Sequence, residues 1–113
     1  MRWAGTLAGL LLLAGCSNRG TERVTVITGA TLITDKAEVP DSVVVIDGKR
    51  IRAVGPRPMT AIPQDSDRID ATGRFVKAEP PVTEIAEGQP ADLVLLDSHR
   101  RVERRMIEGK WTR

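Results

Sequence analysis

The chain has 113 residues, which is enough for one small domain. It carries 17 basic and 15 acidic residues, and a net charge of +2 is too small to indicate nucleic-acid binding. Aromatic residues make up 3% of the sequence and Tyr is absent, so the exposed rings on which bases and sugars stack are scarce.

The first fifteen residues have the composition of an export signal. Arg2 supplies a positive charge, and an apolar stretch follows from Trp3 to Ala14. This stretch is shorter than the ~20 residues that a membrane-spanning helix needs. Residues 1–15 therefore predict an N-terminal signal helix that is removed on export.

The end of this segment resembles the bacterial lipoprotein signal. Residues 13–16 are Leu-Ala-Gly-Cys, and the resemblance implies that Cys16 is lipidated and becomes the first residue of the mature protein. Cys16 is the only cysteine in the sequence and so has no disulfide partner within the chain. Ser17 stands where the inner-membrane retention signal has Asp, which implies an outer-membrane anchor facing the periplasm. The alternative is an ordinary secretory signal with a chance cysteine nearby.

The sequence after Cys16 changes from a linker to strand-like segments. Residues 16–23 are small and polar and predict a flexible tether. The β-branched stretch 24–34 predicts a strand, with Gly29 as a bulge or kink. A turn through residues 35–41 is expected to follow.

The next segments predict a buried hairpin. Ser42–Asp47 is a continuous apolar run up to its last residue, as expected of a strand that is covered on both faces. Asp47-Gly48 is typical of a tight turn, and residues 51–55 supply the returning strand.

The remaining sequence continues in short strands separated by Gly and Pro. Strands are expected over residues 68–71, 74–76 and 91–97, and residues 101–111 form a final hairpin. No segment after the signal has the pattern of an amphipathic helix. The fold predicted is all-β, a small sandwich or open barrel. Its expected core is Val26, Ile33, Val44, Ile46, Ile51, Val54, Ile69, Phe75, Leu93, Leu95, Val102, Met106 and Trp111.

Several of these segments, taken in order, resemble the two ends of amidohydrolase-superfamily enzymes, which are metal-dependent hydrolases. The first end corresponds to Val26-Ile-Thr-Gly-Ala-Thr-Leu-Ile33, Val45-Ile-Asp-Gly-Lys-Arg-Ile-Arg-Ala-Val-Gly55 and Ile69-Asp-Ala-Thr-Gly-Arg-Phe-Val76, and the second to residues 85–97 and 106–111. In that family the two ends pair into one composite β-sandwich beside a catalytic (β/α)₈ barrel. The resemblance implies a composite sandwich over residues 24–113, with halves 24–76 and 85–113 joined by 77–84.

The barrel itself has no counterpart in this sequence. After Val76 the family continues into Pro-Gly and an Asp-x-His-x-His strand, whereas this chain has Lys77–Glu84. No residue therefore matches a catalytic or metal residue of the family, whose zinc or other divalent metal belongs to the missing barrel. Eight residues reach at most about 26–29 Å, and Pro80-Pro81 favours an extended path that lets the sandwich close. Loss of the barrel is expected to expose a surface that suits a partner.

Isolated candidates for chemistry are each interpreted as structural. His99 is the only histidine and lies in an expected loop, so a solvated side chain is favoured over a metal ligand, which would need about three protein ligands together. Asp92 and Asp47 are interpreted as turn-stabilising carboxylates. Three glutamates near the junction are interpreted as solvated rather than cation-binding: Glu79, Glu84 and Glu87.

For the serine hydroxyls and the arginine guanidinium groups, a role in chemistry or binding is likewise not favoured. No histidine is expected near the serines, so nucleophilic catalysis is unsupported at Ser42, Ser66 and Ser98. The strongest cationic cluster is Arg100, Arg101, Arg104 and Arg105. It could contact anionic lipid, but the interspersed Glu103 and Glu108 favour a solvated strand face.

The sequence thus predicts a membrane-anchored envelope lipoprotein with a non-catalytic sandwich, serving as a structural or interaction module. Its expected partner is the lipid bilayer, through Cys16, and a separate protein that carries the barrel would be the partner under the alternative interpretation. The alternative is a fragment or split subunit of a metal-dependent amidohydrolase that acts on C–N bonds. A deletion product without function is a third interpretation.

Overall fold

The structure, a computed structural model, describes residues 24–112. The expected signal helix and tether lie outside these residues, as does the lipidation site at Cys16. Within 24–112 no helix has the length and hydropathy of a membrane span. The all-β prediction is confirmed, because the described chain forms ten strands and a single 3₁₀ turn over Arg57–Met59. The strands are β1 Val24–Thr28, β2 Thr31–Ile33, β3 Glu38–Val39, β4 Ser42–Asp47, β5 Arg50–Pro56, β6 Ser66–Asp70, β7 Phe75–Ala78, β8 Leu93–Leu96, β9 Val102–Ile107 and β10 Lys110–Thr112.

The strands form two mixed sheets. The four-stranded sheet has the order β5-β4-β1-β6, and the six-stranded sheet has the order β10-β9-β8-β7-β2-β3. Two pairs are parallel, β1 with β6 and β2 with β7, and the other pairs are antiparallel. Gly29 lies between β1 and β2 with φ of 88°, a value that glycine adopts without strain. The chain passes from one sheet to the other at this kink.

The main core lies between the two sheets. Ile27 and Val44 from the four-stranded sheet belong to the same buried cluster as Val76, Leu95 and Met106 from the six-stranded sheet. Each of these side chains is at most 3% exposed. Burial of one such side chain contributes about 1.5–3 kcal/mol, so this shared cluster holds the two layers together.

Strand β4 is buried on both faces, as its apolar run predicts. Val44 and Ile46 point into the main core, while Val43 and Val45 join Val26 in a second cluster on the opposite face. Alternate residues of a strand point to opposite faces, so one apolar run supplies both clusters. A loop between β5 and β6 covers the second cluster through Ile62.

Two tight hairpin turns meet at one end of the sandwich. Gly48 and Lys49 join β4 to β5, and Glu108 and Gly109 join β9 to β10. Gly48, Glu108 and Gly109 have φ of 63°, 51° and 80°, the left-handed values of a tight hairpin turn. Both predicted hairpins are confirmed.

The junction departs from the expected extended path. Strand β7 continues to Ala78 and pairs along its length with β8, so the first half of the sandwich hydrogen-bonds directly to the second. The Pro80-Pro81 peptide bond is cis, and Val82 N donates to Glu79 O at 3.0 Å. The prediction of an extended path was wrong, because residues 79–82 form a hydrogen-bonded turn. Ile85 then enters the main core.

Four core predictions were also wrong, because Ile33, Ile69, Phe75 and Val102 lie outside both buried clusters. In β2 the buried side chain is Leu32, which is 5% exposed, and Ile33 is half-buried on the other face. Val102 at the start of β9 is 49% exposed. A register shift in the β8–β9 ladder between Leu95 and Leu96 changes which β9 side chains face the core.

We predict that Gly109→Ala destabilises the protein by about 2–3 kcal/mol. A Cβ at position 109 would overlap the carbonyl oxygen of Gly48, and φ there is 80°. Gly88→Ala is the matched control, since Gly88 has φ of 88° but no atom within 4 Å of the place that a Cβ would occupy. Gly88→Ala should lower the free energy of unfolding by only ~1–2 kcal/mol, the cost of a non-glycine residue in the left-handed conformation. Urea unfolding measures both, and equal losses would contradict close packing of the two turns.

Candidate interaction groove

An open groove lies beside strand β5. Its volume is about 670 Å³, and it is bounded by the loop that follows the 3₁₀ turn and by the segment just after the junction. We define the β5 groove by its lining residues: Val45, Arg52, Ala53, Val54, Met59, Thr60, Ala61, Ile62, Pro63, Glu84, Ile85, Ala86 and Glu87. Most of these side chains are apolar.

The groove wall formed by residues 59–63 was not predicted from the sequence. Its prolines predicted a loop, but the apolar residues within it, Met59, Ala61 and Ile62, were a usable signal. Met59 is 82% exposed, the largest exposed fraction among the large hydrophobic side chains of the described chain. Thr60 Oγ1 donates to Pro56 O at 3.0 Å and holds this loop against the end of β5.

Strand β5 is an edge strand whose outer side is only partly paired. Ile51 N donates to Gln89 O, and Gly88 N donates to Ile51 O, both at 2.8 Å. Beyond this point the N–H and C=O of Val54, which point away from β4, make no backbone hydrogen bond to another segment of residues 24–112. Part of the four-stranded sheet therefore ends in free backbone groups beside the groove.

Charge in the groove is unevenly compensated. Arg52 lies 3.6 Å from the carboxylate of Asp47, a neighbour outside the groove. Glu84 and Glu87 are exposed, and neither forms an ion pair within the described part of the chain. The groove therefore presents two uncompensated carboxylates beside its apolar floor.

The structure disperses the residues that were considered for catalysis. His99 is exposed in the loop between β8 and β9. Ser42 is buried and its Oγ donates to Ala30 O at 2.7 Å, whereas Ser66 Oγ donates to Pro63 O at 2.8 Å. Ser98 lines a separate depression of about 240 Å³ with Asp97 and residues 72–74. These hydroxyls have structural partners or solvent around them, and no histidine among residues 24–112 is placed to activate them.

The acidic candidates have separate partners as well. Asp92 Oδ1 accepts a hydrogen bond from Glu108 N at 2.7 Å, so this carboxylate stabilises the β9–β10 turn. Glu79 Oε1 lies 3.4 Å from Arg105 Nε. Glu79 thus faces the six-stranded sheet, apart from the two groove glutamates. Among residues 24–112 no group of three or more His, Cys, Asp or Glu side chains is placed to hold a metal ion.

Most of the arginine cluster is engaged within the chain. Arg100 forms a bidentate ion pair with Glu38, with Nη1 and Nη2 at 2.9 and 3.2 Å from its oxygens, and its guanidinium lies 4.3 Å from the Phe75 ring centre. The hydrogen bonds from Arg100 to Glu38 raise the pKa of Arg100. The Arg104 guanidinium stacks 4.1 Å from the ring centre of Trp111. These contacts reduce the charge that the cluster offers to an anionic surface.

Comparison with known proteins gives partial matches to hydrolases. No protein-family model matches the chain, and no curated protein matches it significantly. Among solved structures, a putative prolidase from Bifidobacterium longum is 28% identical over 50% of this chain, with a TM-score of 0.44. A molinate hydrolase is 30% identical over 49% of the chain, with a TM-score of 0.43. A dihydropyrimidinase from Brevibacillus agri is 27% identical over 49% of the chain, with a TM-score of 0.42.

The matched region is a small part of each of these proteins. The alignments cover 16% of the prolidase, 12% of the molinate hydrolase and 11% of the dihydropyrimidinase. About half of this chain thus aligns with less than a fifth of the length of each of these proteins.

We predict that protonation of Asp97 loosens the β8–β9 loop at low pH. Asp97 Oδ1 accepts hydrogen bonds from Arg101 N at 3.0 Å and His99 N at 2.8 Å, and these bonds lower the pKa of Asp97. A lowered folded-state pKa gives stability that is present above the unfolded pKa and is lost as pH falls through the folded value.

The urea midpoint of the parent should therefore decrease more than that of Asp97→Asn when the pH is lowered from about 5 to about 2. Asp35→Asn is the control, because Asp35 is exposed in another loop. If Asp97→Asn has the same pH dependence as the parent, the hydrogen bonds of Asp97 do not contribute to stability.

Proposed function

We propose that this chain is a lipid-anchored envelope protein whose β-sandwich serves as a non-catalytic interaction module. The observation that carries the proposal is the pairing of β7 with β8. Val76 lies opposite Leu95 and Ala78 lies opposite Leu93, so the segments on either side of the junction complete one sheet. The scaffold needs no intervening domain to bury its core, and it leaves the β5 groove open.

The anchoring part of the proposal rests on the N-terminal sequence. Leu13 to Cys16 resembles a lipidation signal, and seven residues, Ser17–Arg23, separate Cys16 from the start of β1. Seven residues span at most about 25 Å, so a lipidated Cys16 would hold the sandwich close to the bilayer. Several acyl chains would make that attachment stable, since each buried CH₂ contributes about 0.8 kcal/mol.

The non-catalytic part of the proposal rests on the motifs and on the dispersal of polar side chains. The sequence at the junction has no His-x-His, so no catalytic residue of the amidohydrolase superfamily transfers to this chain. His99 lies in an exposed loop, while Ser42 and Ser66 are bonded to backbone carbonyls. The resemblance of residues 26–76 and 85–111 to the ends of amidohydrolases is then explained by a shared sandwich.

A second candidate is a subunit of a split amidohydrolase. It is favoured by the position of the groove, because Glu84 and Ile85, which line it, lie where the junction meets the second half and where the family's barrel would be inserted. A barrel carried by another polypeptide would meet the sandwich at this side. Co-purification of a separately encoded barrel, together with metal-dependent hydrolysis of a C–N bond by the complex, would replace the first proposal with this one.

We predict that Cys16→Ser abolishes membrane attachment. In bacteria that express the full chain, the parent should fractionate with membranes and incorporate labelled palmitate, whereas Cys16→Ser should incorporate none. Mass spectrometry of the N-terminal peptide provides an independent measurement. An unmodified Cys16 in the mature parent protein would contradict the anchoring proposal.

Ser17→Asp tests the choice of membrane. This variant keeps Cys16 and should still be acylated, but it should move from the outer-membrane fraction to the inner-membrane fraction on a density gradient. Ser17→Ala is the control and should stay in the outer-membrane fraction. Unchanged sorting of Ser17→Asp would contradict the proposed outer-membrane location.

A further inference from the structure

The unpaired edge of β5 is placed to accept another strand. The four-stranded sheet ends at β5, and the segment Gly88–Pro90 pairs only with its beginning. Beyond it the outward N–H and C=O of Val54 lie beside the β5 groove and bond to no other described segment. Free N–H and C=O groups along an edge bind extended peptides by adding a strand to the sheet.

The groove beside this edge has apolar surface for the side chains of an added strand. Met59 and Ile62 line it on the face of the second cluster, and 82% of the surface of Met59 is exposed. Residues 84–87 line it on the opposite face, where Ile85 belongs to the main core. In an added strand, alternate side chains would point toward the wall of residues 59–63, and the others toward residues 84–87. The apolar wall would favour Val or Ile at the positions that face it.

The polar groups of the groove favour a peptide over a compact small molecule. Small-molecule sites place a few buried polar groups so that they converge on the ligand. In the β5 groove none of the polar lining side chains is buried, and Thr60 already donates to Pro56. Glu84 and Glu87 are exposed and lack ion-pair partners among residues 24–112. Their charge would be complemented by Lys or Arg on the partner.

We propose that an extended peptide segment of a partner protein, with apolar residues alternating with Lys or Arg, binds in the β5 groove as an added strand. This inference rests on the proposed role as an interaction module and specifies the chemistry of its partner. It does not require acylation of Cys16. Failure of peptide binding would therefore leave the anchoring proposal intact, and loss of anchoring would leave this one intact.

The test uses the full chain in detergent micelles and two fluorescein-labelled heptapeptides. One alternates Lys with Val, beginning and ending with Lys, and the other has Glu in place of each Lys. Fluorescence anisotropy should show that the Lys peptide binds at least about tenfold more tightly than the Glu peptide. Hydrogen exchange should slow on binding at the backbone amide of Val54, because the amides of Ala53 and Gly55 already donate to β4.

Surface variants test the contacts without disturbing the core. Glu84→Gln combined with Glu87→Gln should weaken binding of the Lys peptide by about 2- to 30-fold. Met59→Ser should also weaken it, and Met59 is so exposed that folding should be unaffected. Asp35→Asn removes an acidic side chain in the loop between β2 and β3 and should leave binding unchanged.

Three results would overturn the proposal. The first is equal binding of the two peptides, or no binding of either. The second is binding of the Lys peptide without protection of the Val54 amide. The third is a dimer in analytical ultracentrifugation with the same protection in the absence of peptide, which would assign the groove to a second copy of this chain.

Discussion

The structure depends on the pairing of β7 with β8, which lie on opposite sides of the junction. Without that pairing the six-stranded sheet would divide into β2, β3 and β7 on one side and β8, β9 and β10 on the other. The inward side chains of both parts, Val76 and Leu95 among them, fill the core against the four-stranded sheet. A short turn at the prolines is sufficient to join the two parts, because the end of β7 and the start of β8 are already adjacent at Ala78 and Leu93.

The sequence predicted the structure best where the residue types of a segment permit only one local structure. Ser42–Asp47 could be identified as a strand buried on both faces, because no other environment accommodates a continuous run of Val and Ile in an all-β chain. The hairpin at Gly48 followed from its freedom to adopt positive φ. The all-β class followed from the repetition of such segments and from the resemblance to a known sandwich.

Long-range geometry limited what the sequence could predict. Ile33 and Leu32 are equally apolar, and the packing of β2 against β7, not composition, decides that Leu32 faces the core. Val102 is exposed because the β8–β9 ladder shifts register beside it. The turn over residues 79–82 likewise depends on the surrounding fold. The β5 groove was not predicted, because its two walls are distant in sequence, at residues 59–63 and 84–87.

The two sheets offer very different surfaces to a partner. On the six-stranded sheet, ion pairs between Arg100 and Glu38 and between Arg105 and Glu79 occupy the long charged side chains, and Arg100 also covers Phe75. A partner there would have to displace contacts that already satisfy these charges. On the four-stranded sheet, the edge of β5 has unpaired backbone beside apolar surface. Binding at β5 would therefore replace contacts with water, whereas binding at the arginines would also replace half-exposed ion pairs within the protein, each of which contributes little stability. The balance of these exchanges favours the β5 groove as the site of interaction.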